Sequence, residues 1–299
     1  MVTGKTKVVQ VLSKGAKSGG RIVPAVLAEM LQAGLDRLSP TGESFDLLES
    51  RFQIGQTIGI KVNSLAGREV STSPDCAVAV AEIMHQAGHK KNNIIIWDRR
   101  EGELARAGYE IMTRGSNYKC FATDTTGVGF DGDLYSHKSV GSLVSKLQTK
   151  ICDSTINMPI LKDHSLAGLS GCLKNNYGMI HNPNKYHENL CSPYQADLFA
   201  LDVIGPKQKL AVCDAINVQY NGGPGLMKRW MVPGNFLLLA TDPVALDTVA
   251  AEIIDRLRTA NGLKKLKDVG REPQGAKVAG KDGLGCAELK NIDWINLEI

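Results

Sequence analysis

The sequence predicts an α/β protein with a largely parallel sheet, helices on both faces and repeated βαβ units. Three observations carry that prediction. Short apolar runs alternate with amphipathic stretches of helical period, Gly and Pro punctuate the joins, and four apolar runs end abruptly on charged or amide residues. At 299 residues the chain can bury a large core, and its length fits either a single domain over 1–299 or two lobes dividing near residue 150 around a cleft.

The elements follow in order. Lys7 to Leu12 is a short apolar strand, followed by a turn carrying Gly15, Gly19 and Gly20. An amphipathic helix runs from about Val23 to Leu38, where Ser39-Pro-Thr-Gly stops it. Thr57 to Val62 is the next strand. Ser71-Thr-Ser-Pro-Asp starts a helix, since Pro74 suits a first turn, and Ala77 to Ala87 keeps helical period up to a Gly88 stop. Asn93 to Trp97 is a buried strand ending in Asp98-Arg99-Arg100, and Glu101 to Ala107 is helical. Tyr109 to Ser145 is Gly- and Thr-rich with weak periodicity, which suits a hairpin excursion or a lid. Ile151 to Ile160 reads as a strand giving way to a loop at Leu161-Lys162-Asp163-His164. Lys209 to Asp214 leads into a Gly222-Gly223-Pro224-Gly225 loop, and Asn235 to Ala240 leads into a helix reaching about Thr259.

Composition narrows the function classes. Hydrophobic content of 43% with 22% charged residues is ordinary for a soluble globular protein. The net charge of +4 is spread along the chain. Lys264-Lys265-Leu-Lys267 with Arg271 reads as a solvated helix face, so nucleic acid is not the expected partner. No apolar run reaches the roughly 18–20 residues that span a bilayer, so no membrane partner is expected. The first twenty residues lack the apolar core of a secretory signal, which predicts a cytoplasmic protein unless a cleaved signal peptide has been removed. Seven scattered cysteines without a Cys-x-x-Cys spacing argue against an iron–sulfur cluster, a zinc ribbon or a disulfide framework.

The chemistry concentrates between His164 and Gly178. His164 titrates near neutrality and its neighbour Asp163 is placed to orient it as an acid/base; the alternative is a strand-end histidine satisfied by backbone. Gly168, Ser170 and Gly171 suit close approach of backbone to a ligand. Lys174 is a substrate clamp, a Schiff-base amine, a cofactor attachment point or a surface lysine. His181 and His187 could ligate a divalent metal with His164 or Cys191, or be two loop histidines. Cys172 reads as a small packed thiol. The Gly222–Gly225 loop is either an anion site or a plain turn. No Rossmann, Walker or Gly-x-Ser-x-Gly signature occurs.

Convergence of the polar strand ends would place Lys61, Asn63, Asp98, Arg99, Lys162, Asn175 and Asp214 around a substrate, with His164, Lys174 and Asp163 catalytic. Lys61, Arg99 and Lys174 favour a small anionic molecule, a carboxylate above all. The expected function is proton transfer at His164, loosely racemase- or isomerase-like. A non-catalytic binding protein for an anionic metabolite or metal complex is the alternative, and a redox accessory protein a third. Oligomeric state and substrate identity are not encoded in these patterns.

From Gly59 to Gly285 the sequence resembles the uncharacterised domain of unknown function 362 family. The likeness runs through Ile-Lys61-Val-Asn63-Ser, Ile-Ile-Trp-Asp98-Arg99, Leu-Lys162-Asp163-His164, the Ala-Gly-x-Ser-Gly-x-x-Lys-Asn-x-Tyr-Gly block and Thr-Asp242-Pro-Val-Ala-Leu-Asp247. Members of that family are often exported by the twin-arginine route and sometimes fused to ferredoxin-like modules. The block His164-x-x-Ala-Gly-x-Ser-Gly-x-x-Lys174 is also similar to one in nickel-pincer-dependent lactate racemases. That resemblance implies His164 as acid/base, Lys174 as tether of a nickel-pincer nucleotide, and His187, or less well His181, as a nickel ligand. The racemases carry Asp and Arg after the first of these strands, where this chain has Asn63 and Arg68. They carry a second acid/base histidine where it has Asp98-Arg99-Arg100.

Overall fold

The computed structural model describes residues 5–299. In chain order the strands begin with β1 (Thr6–Leu12), a small hairpin of β2 (Lys17–Ser18) and β3 (Arg21–Ile22), β4 (Ile58–Val62), β5 (Ile94–Asp98) and β6 (Lys119–Ala122). A second hairpin follows, β7 (Phe130–His137) with β8 (Val140–Ser145). Then come β9 (Ser154–Met158), β10 (Ile160–His164), β11 (Gly168–Leu169), β12 (Gln208–Gln219), β13 (Met231–Ala240) and β14 (Ile292–Glu298). The helices are α1 (Pro24–Leu38), α2 (Ser44–Arg51), α3 (Pro74–Gln86), α4 (Glu101–Ala107), α5 (Cys172–Asn175), α6 (Tyr194–Phe199), α7 (Pro243–Ala260) and α8 (Gly275–Lys281).

The expected α/β class holds. The main sheet is ordered β14-β1-β13-β12-β9-β4-β5-β6 and draws on both halves of the chain. Its pairings are parallel except where β13 lies antiparallel between β1 and β12. One face carries Val9, Ile60, Ile96, Ile156, Val212 and Leu239 against Leu27 and Leu31 of α1, Leu48 of α2, Val80 and Met84 of α3 and Leu104 of α4. The opposite face packs Val8, Cys213 and Leu238 on Leu246, Val249 and Ile253 of α7. Nearer β6, Ile95, Trp97 and Phe121 meet the β7–β8 hairpin and Tyr177, Met179 and Leu198. Helices therefore cover both faces, as the short apolar strands require.

Local chemistry explains the starts. Pro24 and Pro74 sit in first turns, where a missing N–H costs nothing. The Ser73 hydroxyl accepts Asp75 N–H at 3.2 Å to cap α3, and Asp242 accepts the N–H groups of Val244 and Ala245 to cap α7. Gly34 of α1 lies so close to the sheet that a Cβ would stand 2.8 Å from Leu239 Cδ1.

The chief departure from the sequence reading concerns 151–164. The strand begins at Ser154 and breaks at Pro159, which cannot donate to a ladder. A separate strand, β10, then runs through Lys162, Asp163 and His164 themselves, pairing with β12 and β11. These residues are strand residues, and alternation sends Asp163 to the opposite side from Lys162 and His164. Within 109–145 the hairpin β7–β8 is present, and β6, β14, α2 and α8 add elements that the apolar patterning does not mark.

Candidate functional site

Where β4 and β5 end, most polar side chains satisfy one another. Lys61 Nζ lies 2.7 Å from Asp98 Oδ1 and also donates to Val62 O at 2.7 Å and Asn175 Oδ1 at 3.1 Å. An ammonium has three protons, and all three are spent. Asp98 Oδ2 accepts both the N–H and the hydroxyl of Ser64, and Asp98 Oδ1 the N–H of Arg99. Asn175 reaches back to Lys61 O and to Asn157, which continues into a buried carboxamide cluster with Asn176 and Gln208. Arg99 donates to His181 O. Lys61, Asp98 and Asn175 are thus engaged with one another and with backbone, and Arg99 with His181 O, which holds α5 and the 181 loop onto the sheet. Asn63 keeps a buried Oδ1 with no partner, while its backbone pairs with Thr72.

Asp163 does not orient His164. It faces away, bonded to Arg271 Nη1 at 2.9 and 3.2 Å and to Gly223 N–H at 3.1 Å, and burial raises its carboxyl above the ordinary range against the pull of Arg271. The Gly222–Gly225 loop is correspondingly anchored on Asp163 through that N–H. Asp214 also stands apart from His164. It accepts the N–H of Ser73, the cap residue of α3, and that of Ile216 in its own strand β12.

The small residues of the central block have an internal explanation. A Cβ at Gly168 would come 2.2 Å from Arg271 O, and one at Gly171 2.2 Å from Asp247 Oδ1. Asp247 caps α5 by accepting the N–H groups of Cys172 and Leu173 at 2.6 and 2.9 Å, and burial pushes its carboxyl up to about 7. Protein atoms therefore occupy the space expected to receive a ligand at these glycines. Cys172 is a buried thiol pushed well above its usual range, in keeping with packing.

What remains is a compact group around His164, His187 and Lys174. His164 Nδ1 accepts the N–H groups of Leu166 at 3.2 Å and Ala167 at 3.1 Å, so the proton of the neutral ring sits on Nε2. Burial, with Lys174 and His187 adding to it, lowers its pKa to about 3. His187 has the opposite tautomer: Nδ1–H donates to Pro183 O at 3.0 Å, leaving the Nε2 lone pair 3.2 Å from Lys174 Nζ. The two imidazoles stack with centroids 6.0 Å apart. Lys174 Nζ also lies 3.7 Å above the Tyr177 ring, and burial lowers its pKa to about 8. Lys162 Nζ, lowered by burial to about 7, donates to Leu65 O and Val70 O and so ties down the loop between β4 and α3. Lys61 and Asp98 thus meet as an ion pair, Lys162 and His164 share one side of β10, and Asp214 is bonded elsewhere.

The pairing of His181 with His187 as metal ligands is not supported. The His181 ring packs edge-on against Phe130, and His187 is engaged by Lys174, Tyr177 and His164. Among the described residues no group of three or more His, Cys, Asp or Glu side chains is arranged to hold a metal ion. Sequence reasoning missed Arg271, placed in a solvated cluster, and Tyr177, whose spacing three after Lys174 on a helical turn was the available signal. No described helix is long and apolar enough to cross a membrane.

Residues 58–252 match the family model described as domain of unknown function (DUF362). No curated protein matches the chain. Among solved structures, a crystal structure of a protein from Thermotoga maritima is similar at 12% identity and a TM-score of 0.43, over 81% of this chain and 61% of that one. The chain thus spans about three-fifths of that neighbour's length.

Proposed function

The chain belongs to the domain of unknown function (DUF362) family, and from its site we propose an enzyme that moves a proton on a small carboxylate substrate. One observation carries this reading. Two stacked imidazoles carry opposite tautomers, one offering Nε2–H as a donor and the other an Nε2 lone pair, with an ammonium bonded to the lone pair. Proton abstraction beside a carboxylate needs those three things: a cation for the anion, a base, and a donor for the developing oxyanion.

The roles follow from charge. Near pH 7 Lys174, with a pKa of about 8, is mostly ammonium and binds the carboxylate. Its move to substrate releases His187 Nε2, which takes the proton from carbon; the bonding pair passes into an enolate. His164 stays neutral because its pKa is about 3, and donates Nε2–H to the enolate oxygen. Return of the proton from the His187 imidazolium, to either face, completes an isomerisation. His164 is therefore a hydrogen-bond donor in this scheme, and the proton carrier is His187.

The test is solvent exchange. 2-Hydroxy and 2-keto carboxylates incubated with the protein in deuterium oxide should lose the proton next to the carboxylate or carbonyl carbon, read by proton NMR. His187→Gln should abolish exchange, and His164→Phe should slow it about a hundredfold, as loss of one oxyanion donor does. Exchange that survives His187→Gln refutes the scheme. Binding of these anions with no exchange at all leaves the non-catalytic anion-binding reading in its place.

A further inference from the structure

A cavity of about 690 Å³ lies on the other side of the 63–73 loop, away from His164 and Lys174, over the first turn of α3. Lys17, Arg21 and Arg68 line it, with Ser71, Ser73 and Asn217 supplying hydroxyl and amide groups. We infer that this cavity is a second binding site, for a phosphorylated metabolite of nucleotide size. The inference is independent of the proton-transfer reading, because no residue of that site lines the cavity.

The charge balance points to an anion. Lys17 bonds Asn217 Oδ1 at 2.9 Å, and among the described residues none of the three cations has a carboxylate within ion-pair distance. The lining carboxylates are largely committed elsewhere. Glu69 pairs with Lys228 at 3.4 Å, and Asp214 accepts two backbone N–H groups. Only Asp75 is left to oppose three cations, at the end of a thirteen-residue helix whose dipole also favours negative charge. Three cations drawn from two separate segments exceed what a single carboxylate needs and suit a dianionic phosphate, which two guanidinium forks can grip.

The site is also shaped in advance. Gly108, at φ +99° where α4 ends, lies against the Arg68 side chain, so the end of α4 forms one wall of the Arg68 position. The volume far exceeds one phosphate and falls in the range of pockets that enclose whole small molecules. The cavity opens beside Ile160 and Asp214, beyond the carboxyl ends of β9 and β4, where open α/β sheets hold ligands.

Pyrophosphate, adenosine diphosphate and citrate, each titrated calorimetrically into the whole chain at low salt, test the inference. Pyrophosphate and adenosine diphosphate should bind, and Arg68→Gln and Lys17→Gln should each weaken them at least tenfold. Both side chains reach solvent, so unchanged melting temperatures are expected and will show that folding is intact. Lys174→Met should leave pyrophosphate affinity within twofold. Absence of binding by both phosphates, equal binding of citrate, or loss on Lys174→Met without loss on Arg68→Gln would each overturn the assignment.

Discussion

Lys61→Met separates a structural ion pair from a substrate contact. The Lys61 side chain is 1% exposed and that of Asp98 7% exposed, at 2.7 Å. Met fills much the same volume but leaves Asp98 buried without its cation, and Val62 O and Asn175 Oδ1 without a donor. Breaking a buried pair by removing one partner costs about 3–5 kcal/mol, and each orphaned acceptor adds about 1 kcal/mol, less than additively. A loss of about 5 kcal/mol follows, which at roughly 2 °C per kcal/mol for a chain of this size lowers the melting temperature by about 10 °C. Differential scanning calorimetry reads it directly. Adding Asp98→Asn to Lys61→Met should recover at least half of the loss, because the buried charge disappears. A Lys61→Met protein melting within about 2 °C of the parent, yet unable to bind anions, would refute this reasoning and return Lys61 to the substrate.

Gly178→Ala should destabilise by about 2–3 kcal/mol, because its Cβ would stand 2.7 Å from both Asp98 Oδ1 and Lys61 Nζ; chemical denaturation measures it, and a neutral result would mean the ion pair yields freely. His164, lowered to about 3 from an ordinary value near 6.5, contributes stability that is present above pH 6.5 and lost as pH falls toward 3, at up to about 1.4 kcal/mol per unit. The His164→Phe protein should accordingly show a shallower loss of stability over that window. Arg271→Met should cost about 3 kcal/mol at neutral pH by stranding the fully buried Asp163; because burial already raises that carboxyl, the deficit should shrink as acid protonates it, and a deficit that grows with acid would contradict the pairing.

Much of the fold was legible because it is written locally. Short apolar runs located β4 and β5, period-3.6 apolarity located α1, α3 and α7, and Pro and Gly marked their ends. The roles of the site residues were less legible, because each depends on a partner far along the chain. Asp163 meets Arg271 across 108 positions, Lys61 meets Asn175 across 114, and the Gly171 gap is filled by Asp247. One of these was within reach: treating 160–164 as a strand makes alternation turn Asp163 away from His164 before any contact is known. Four polar strand ends suggested one rich pocket, yet charges that meet at the end of a sheet neutralise one another first. Setting aside the groups held by several internal bonds leaves His164 Nε2–H, Asn63 Oδ1 and the single Lys174–His187 bond at one place, and Arg21, Arg68 and a Lys17 bonded only to Asn217 at another. Ligand chemistry is easiest to draw from that remainder, because there at most one internal hydrogen bond has to break before a ligand bond forms.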